Sequence, residues 1–222
     1  MQGAAETLSV KVSSFVRENN LLAGINAVPF DIISSKERQP VQNMGIVISD
    51  GKILAPANSR YDAVVFYKEG EPVRAAIVSQ SAIHSTENIE NAAGGFHQIL
   101  ADGQTTERTQ NEKSVSETYT IMEMYSENSE RHPRSAAGIS ADGSHLYLLI
   151  IDGRRTGSIG ATEYETALLL RSLGAWNGLN LDGGGSSALA LRGRNGKVRT
   201  VNTPKHKFIA GVERAVAGCI GF

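Results

Sequence analysis

An aspartate followed by three glycines and two serines is the stretch of this chain best suited to chemistry. Asp182 ends an alternating apolar segment, and the two serines open the next one. The glycines are Gly183, Gly184 and Gly185, and the serines are Ser186 and Ser187. A glycine run is costly to order, so it is typical of backbone at positive φ or in close contact with another group. Successive N–H groups in such a turn can bind phosphate. We therefore predict an anion-binding turn with a carboxylate beside it; the alternative is a plain hairpin turn.

A second carboxylate occupies a similar position. Asp152 follows the apolar segment 146–151, so both aspartates end predicted strands. Two carboxylates at the ends of neighbouring strands can face one pocket, as glycoside hydrolysis requires. Arg134 precedes a strand and Arg154 follows Asp152, and a guanidinium matches phosphate oxygens bidentately. The alternative is that Asp152 only opens a turn and that Arg154 is solvated.

Other familiar catalytic patterns are missing from the sequence. The five histidines are scattered, and none has zinc-ligand spacing. No Gly-x-Ser-x-Gly motif indicates a serine hydrolase, and no Gly-Lys-Ser/Thr follows the glycine run. Glu165 forms a capping box with Thr162, and we interpret Glu163 as an exposed residue of the first helical turn. Neither glutamate is expected to take part in catalysis.

The elements around these residues are mainly hairpins. Segments 44–54 and 137–147 each read as strand, Asp-Gly turn, strand. One helix is predicted after Thr162, with Gly174 as its stop, and a strand is predicted at 119–124. Segment 8–19 is left open as helix or strand. The predicted fold class is α+β, a mostly antiparallel sheet with few helices packed on it.

Length and composition further limit the domain organisation and the kinds of partner that this chain can have. The 222 residues fit a single domain over 1–222, with 41% hydrophobic residues for its core. A net charge of −1 predicts no nucleic acid partner. No apolar run approaches the ~20 residues that span a bilayer. The first residues show no signal peptide.

Residues 134–191 resemble the phosphodiester glycosidase family. The motifs that carry this resemblance are, in order, Arg134-Ser135-Ala136-Ala137-Gly138, Asp152-Gly153-Arg154, Ser158-Ile159-Gly160, Thr162-Glu163-Tyr164-Glu165 and the turn 181–187. Segments 24–31, 93–96 and 213–217 extend the match more loosely. Asn26 stands where the family has an asparagine, followed by small residues and a phenylalanine.

The resemblance implies hydrolysis of a sugar joined through its anomeric oxygen to a phosphodiester. It implies Asp152 and Asp182 as catalytic carboxylates, with their individual roles open. The expected phosphate and substrate ligands are Arg134, Arg154, Asn26, Ser158 and the turn 183–187. No cofactor is implied to be required, although a divalent cation bridging the carboxylates stays open.

Two alternatives to this function remain. One is a hydrolase or transferase that acts on bacterial surface polymers such as exopolysaccharide. The other is a non-catalytic phosphosugar-binding module, because Ala27-Val28-Pro29 stands where many family members have glycines. Family members are often exported, so we expect an exported protein whose signal has been removed, with a cytoplasmic protein as the alternative.

Overall fold

The computed structural model describes residues 6–31, 36–68, 74–110, 131–206 and 209–222. Strands dominate it, and short 3-10 turns lie at Gln80–Ala82 and Gly184–Ser186. In chain order the elements are β1 (Glu6–Leu8), α1 (Val12–Glu18), β2 (Ala23–Asn26), β3 (Pro40–Gln42), β4 (Val47–Ser49), β5 (Lys52–Ala55), β6 (Asp62–Tyr67), β7 (Ala75–Ser79), β8 (Ile89–Gly94), β9 (Gln98–Ala101), β10 (Gln104–Thr105), β11 (Arg134–Ile139), β12 (Leu146–Ile151), α2 (Glu163–Ser172), β13 (Asn177–Asn180), β14 (Leu189–Arg192), β15 (Val198–Thr200), β16 (Lys205–His206), β17 (Ile209–Ala210) and β18 (Cys219–Gly221).

The strands form three main antiparallel sheets. Their orders are β5-β4-β8-β6-β7, β10-β9-β13-β11-β12 and β15-β14-β2-β18. Two ribbons, β1-β3 and β16-β17, complete the set for the described residues. The predicted α+β class, mainly antiparallel sheet with few helices, is confirmed. None of the described helices is long and apolar enough to cross a membrane.

A shared core joins the sheets. Ile25 of β2, Val64 of β6 and Leu179 of β13 are all fully buried in one cluster. Helix α2 packs on the second sheet, because its Leu170 lies in a buried cluster with Leu100 of β9. Burying a leucine or isoleucine side chain stabilises the fold by about 1.5–3 kcal/mol. These contacts fix the position of α2 on the second sheet, and both elements contribute residues to the candidate site.

The local predictions hold where the structure describes them. The turn of β4-β5 has Asp50 at φ 49° and Gly51 at φ 71°, and β11-β12 forms the second hairpin. The Thr162 and Glu165 capping box begins α2, and Gly174 follows its end at φ 109°. Segment 8–19, left open by the sequence, contains α1. The strand predicted at 119–124 lies outside the described residues.

The topology of the second sheet brings three strand ends to one edge. Strand β11 lies between β12 and β13 and is antiparallel to both. Consequently β12 and β13 end at the edge where Arg134 begins β11. Asp152 and Asp182 follow strands that are separated by one strand, rather than strands that pair directly.

Candidate functional site

A cleft of about 480 Å³ opens at this edge of the second sheet. We call it the arginine cleft, because four arginines line it together with two carboxylates among the described residues. These residues are Arg108, Arg134, Arg154, Arg214, Asp182 and Glu163. The glycine turn also lines the cleft, with Gly183, Gly184 and Gly185. The site therefore combines groups that bind an anion with groups that hold or move a proton.

Asp182 lies at the start of the glycine turn and lines the cleft. Its backbone N–H donates to Ala27 O at 2.8 Å, and its carbonyl accepts from Asn26 Nδ2 at 2.5 Å. Burial raises the pKa of Asp182 to about 6, although a hydrogen bond from Ser186 and the charge of Arg214 oppose that shift. This carboxyl group can therefore gain or lose a proton near neutral pH.

Glu163 is the second carboxylate, and the prediction that it is exposed is wrong. Only 9% of it is accessible. Its Oε1 lies 3.6 Å from Arg134 Nη1 and accepts a hydrogen bond from Asn180 Nδ2 at 3.1 Å. Its Oε2 lies 3.2 Å from Arg108 Nε. Helical side chains tilt toward the helix N-terminus, so the first residue of α2 reaches back over the sheet edge. Glu163 is thus ion-paired with two arginines that come from other segments of the chain.

Most N–H groups of the glycine turn, which was predicted as a phosphate nest, form hydrogen bonds within the protein. Three of its N–H groups donate to carbonyls: Gly184 to Pro133 at 2.8 Å, Ser186 to Gly183 at 3.2 Å and Ser187 to Gly184 at 3.3 Å. The Gly183 N–H supports the Asp182 carboxylate. Most donors of the turn are thus committed within the described part of the protein. The nest expectation finds little support in this geometry.

The glycines instead let two guanidinium groups approach the backbone. Gly184 has φ 61°, and a Cβ there would lie 3.3 Å from both Nη1 and Nη2 of Arg154. A Cβ on Gly185 would lie 2.8 Å from Arg214 Cζ, which is too close for any real contact. The positive φ expected at Gly184 is therefore present. Because Gly184 and Gly185 have no side chains, the guanidinium groups of Arg154 and Arg214 can lie against the turn.

The two serines of the turn are buried beside these groups. Ser186 Oγ accepts a hydrogen bond from Arg214 Nη1 at 3.2 Å. Ser187 Oγ has no hydrogen-bond partner among the described residues. Neither serine lines the arginine cleft, so Ser186 acts through Asp182 and Arg214 rather than by facing a ligand.

Asp152 is not brought into the cleft. Its carboxylate contacts Arg155 Nη2 at 2.7 Å and accepts from Asn202 Nδ2 at 3.0 Å. The Thr203 N–H donates to both of its oxygens, at 3.0 and 3.1 Å. Ser158 Oγ donates to the Asp152 carbonyl at 2.6 Å, so it too stabilises this loop. The expected pairing of Asp152 with Asp182 in one pocket is not what the geometry shows.

Asn26 also lies behind the cleft rather than in its lining. It is 1% exposed, and its Oδ1 accepts from Ser135 Oγ at 2.7 Å and from Ala188 N at 3.1 Å. With its Nδ2 bound to the Asp182 carbonyl, Asn26 ties β2 and β11 to the start of the turn. Its position makes it a support for Asp182.

The predicted arginines do line the cleft. Arg134 is 8% exposed and donates from Nε to Ala161 O at 2.9 Å, beside its ion pair with Glu163. Arg154 is exposed at φ 56°, and its Nη2 lies 3.2 Å from His132 Nδ1. An exposed guanidinium in a cleft can take an anionic ligand.

Several lining residues were missed by the sequence interpretation. Arg108, Arg214, His97 and His132 all line the cleft and come from separate segments. Burial and, less strongly, the charge of Arg108 lower the pKa of His97, which favours its neutral form. In the sequence, Arg214 belongs only to segment 213–217 of the looser match, and nothing in its spacing points to Asp182.

A metal site was left open by the sequence. Within the described ranges, no group of three His, Cys, Asp or Glu side chains could hold a metal ion. The carboxylate of Glu163 is instead engaged by arginines. Whether a divalent cation takes part stays a prediction.

Comparisons with known proteins agree with this architecture. A curated protein from Bacillus subtilis (strain 168), the SPbeta prophage-derived uncharacterized protein YomE, is 44% identical over 64 residues. Those residues are 29% of this chain and 10% of that protein, so the chain spans a tenth of its length.

Solved structures share the fold. The catalytic domain of zebrafish N-acetylglucosamine-1-phosphodiester alpha-N-acetylglucosaminidase, auto-inhibited by its pro-peptide, matches with a TM-score of 0.65 at 21% identity. That match covers 95% of this chain and 66% of the zebrafish chain. A putative exported protein from Burkholderia pseudomallei K96243 matches with a TM-score of 0.62 at 17% identity, over 98% of this chain and 70% of that one.

The family is shown by a match over most of the sequence. The family model for phosphodiester glycosidases matches residues 19–222, which include every lining residue of the arginine cleft. The chain belongs to the phosphodiester glycosidase family.

Proposed function

We propose that this domain hydrolyses sugar-1-phosphodiesters, releasing a free sugar and a phosphate monoester. The observation that carries the proposal is the arginine cleft itself, where Asp182 lies beside guanidinium groups packed on a side-chain-free turn. A phosphodiester anion needs fixed positive charge, and a glycosidic carbon needs carboxylates near it. One cleft offers both.

Arg154 and Arg214 are the proposed phosphate ligands. Both lie against the glycine turn, and Arg214 also interacts with Asp182. Guanidinium groups bind phosphate oxygens bidentately, and their charge offsets the repulsion between Asp182 and an anionic substrate. The phosphate group would then lie over Gly184 and Gly185.

Asp182 is the proposed general base. A pKa of about 6 leaves it mostly ionised at neutral pH while keeping it basic enough to accept a proton. It would take the proton of a water molecule whose oxygen attacks the anomeric carbon. The bond from that carbon to the phosphate oxygen breaks, and the electron pair leaves with the phosphate.

The leaving group needs little help from an acid. A phosphate monoester is a weak base, so its departure asks mainly for stabilisation of negative charge by the arginines. Glu163 is ion-paired with Arg108 and Arg134, and a fixed negative charge stabilises an electron-poor sugar carbon. We therefore assign Glu163 the place of the second carboxylate, which the family resemblance implied for Asp152.

Catalysis is favoured over binding alone. A module that only binds phosphate gains nothing from a half-buried carboxylate in the same cleft, because that charge repels the ligand. A carboxyl group with a raised pKa in a cleft is typical of acid–base chemistry.

Product analysis tests the proposal. Purified protein is incubated with N-acetylglucosamine, glucose and mannose 1-(methyl phosphates), and with a phosphodiester-linked bacterial exopolysaccharide. Phosphorus NMR then reports whether a phosphate monoester forms, and sugar analysis reports the released sugar. Release of both supports the proposal; a phosphodiesterase product, sugar 1-phosphate, or no reaction contradicts it.

A further inference from the structure

In the part of the chain that the structure describes, the lining of the arginine cleft includes a buried hydrogen-bond acceptor without a protein partner. Asn180 ends β13, is 2% exposed and lines the cleft. Its backbone is fixed, since its N–H donates to His97 O at 3.0 Å and its carbonyl accepts from Phe96 N at 2.8 Å. Its side-chain Oδ1 is fully buried and has no hydrogen-bond partner among the described residues.

The orientation of the Asn180 amide follows from chemistry. Its other end lies 3.1 Å from Glu163 Oε1, and that carboxylate is ion-paired with Arg108 and Arg134. An ionised carboxylate only accepts hydrogen bonds, so the nitrogen of the amide must face it. The oxygen is consequently the end without a partner. A buried acceptor without a partner destabilises the folded protein, and a hydrogen-bond donor on a ligand would remove that cost.

The distribution of hydrogen-bond donors and acceptors in the cleft indicates which part of a substrate would donate to Asn180 Oδ1. Asn180 and Glu163 present acceptors, which would repel phosphate oxygens. Arg154 and Arg214, on the turn, present only donors. The phosphate therefore belongs at the turn, and an uncharged donor belongs at Asn180.

We infer that Asn180 Oδ1 accepts a hydrogen bond from a hydroxyl group of the substrate sugar and so selects the sugar. This inference rests on the proposed function for the identity of the ligand. A site built to bond one hydroxyl discriminates strongly against an analogue that lacks it, because the buried acceptor is then left unpaired. Asn180 is thus a specificity residue, with Glu163 as its support.

The test compares one sugar with its monodeoxy forms. The probes are α-D-glucopyranosyl 1-(methyl phosphate) and each of its monodeoxy analogues, assayed for kcat and KM. For the parent, one analogue should lose about 10- to 100-fold in kcat/KM, as expected when one buried hydrogen bond is lost. In Asn180→Ala, that analogue and the complete sugar should react equally well.

Two further variants separate recognition from support. Asn180→Asp keeps an acceptor but loses the N–H bond to Glu163, so it should react slowly and still discriminate against the same analogue. Asn91→Ala removes a half-buried asparagine that lies in another sheet and bonds only to Asp50 N among the described contacts. It should keep the parent pattern.

Each outcome decides the inference. Equal penalties for every analogue in the parent and in Asn180→Ala would overturn it, even if the parent is active. If the parent cleaves no sugar-1-phosphodiester of the product-analysis panel, the proposed function fails, and calorimetric binding of the complete sugar and its monodeoxy analogues then tests Asn180 independently. The inference is supported if the parent discriminates against one analogue and Asn180→Ala, unlike the other two variants, does not. It is refuted if the parent does not discriminate among the probes or binds none of them.

Discussion

The guanidinium of Arg214 lies across Gly185, where a Cβ atom would come within 2.8 Å of Arg214 Cζ. The same guanidinium donates to Ser186 Oγ and interacts with Asp182. One residue without a side chain thus lets a cation approach the carboxylate of its own turn. The glycine run is explained by this contact more directly than by anion-binding N–H groups.

Gly185→Ala should therefore damage the site without straining the backbone. The methyl group must displace Arg214, so we expect kcat/KM to fall about 10- to 100-fold, as for a lost charged hydrogen bond. Steady-state kinetics measure it. Gly157→Ala is the matched control, because a Cβ there has no atom within 4 Å. Equal activity of the two variants would remove Arg214 from the account.

Gly184→Ala separates backbone strain from the contact with Arg154. Gly184 at φ 61° and Gly196 at φ 76° both occupy the left-handed region, but only a Cβ on Gly184 meets another residue. Alanine in that region costs about 1–2 kcal/mol, so both variants should lose similar stability in denaturant unfolding. Only Gly184→Ala should bind inorganic phosphate more weakly by calorimetry. Equal phosphate affinity in both variants would show that the turn does not position Arg154 for phosphate.

The pH dependence of stability reports on Asp182. Its pKa of about 6 in the folded state lies above the ordinary aspartate pKa of about 3.9, so the folded state holds the proton more tightly than the unfolded state. This contribution to stability is present below about pH 4, declines as the pH rises through about 6, and is then lost. The free energy of unfolding of Asp182→Asn, compared with that of the parent at the same pH, should be about 1–3 kcal/mol more favourable at pH 8 than at pH 4. Unfolding curves that shift equally at both pH values would contradict the raised pKa.

Glu163 and Asp152 should behave differently when each is made neutral. Glu163→Gln leaves two arginines without their shared carboxylate, and we expect kcat to fall about 10²-fold or more. Asp152→Asn replaces one carboxylate oxygen with an NH2 group, so the ion pair with Arg155 and one of the two bonds from the Thr203 N–H are lost, and we expect mainly a lower melting temperature. Kinetics and thermal unfolding of both variants check this. A larger loss of kcat in Asp152→Asn than in Glu163→Gln would restore Asp152 as the catalytic partner.

Metal removal tests the last open cofactor question. Four guanidinium groups of the described residues line the cleft and can balance a phosphodiester charge by themselves. We therefore expect dialysis against EDTA to leave kcat/KM within about two-fold, with arginines supplying the electrostatic stabilisation. An activity that disappears and returns with Mg²⁺ or Ca²⁺ would show that a cation belongs to the site.

Local patterns in the sequence predicted much of the fold. The Asp-Gly hairpins and the Thr162 capping box depend on neighbouring residues, so each could be predicted from a few letters. Asp182 and its glycines were found for the same reason, since the whole turn is contiguous. The order of the sheets depends on long-range packing, which no such pattern encodes.

The partners of the site could not be predicted in that way. Asp152 and Asp182 look alike in sequence, yet Asn202 and Thr203, some fifty residues away, engage Asp152. Glu163 looked like an ordinary first-turn residue, because its burial depends on Arg108 and Arg134 from other segments. What distinguishes these carboxylates is their tertiary surroundings.

The most direct test of the central claim is the rate at which parent protein and Asp182→Asn release phosphate monoester from a sugar-1-phosphodiester. The parent should release it with kcat/KM rising with pH to a plateau above about pH 6, because the ionised Asp182 acts as base. Asp182→Asn should be slower by about 10²–10⁴-fold while it still binds the substrate. A variant within a few-fold of the parent, with the same pH profile, would contradict the assignment of Asp182 as the general base.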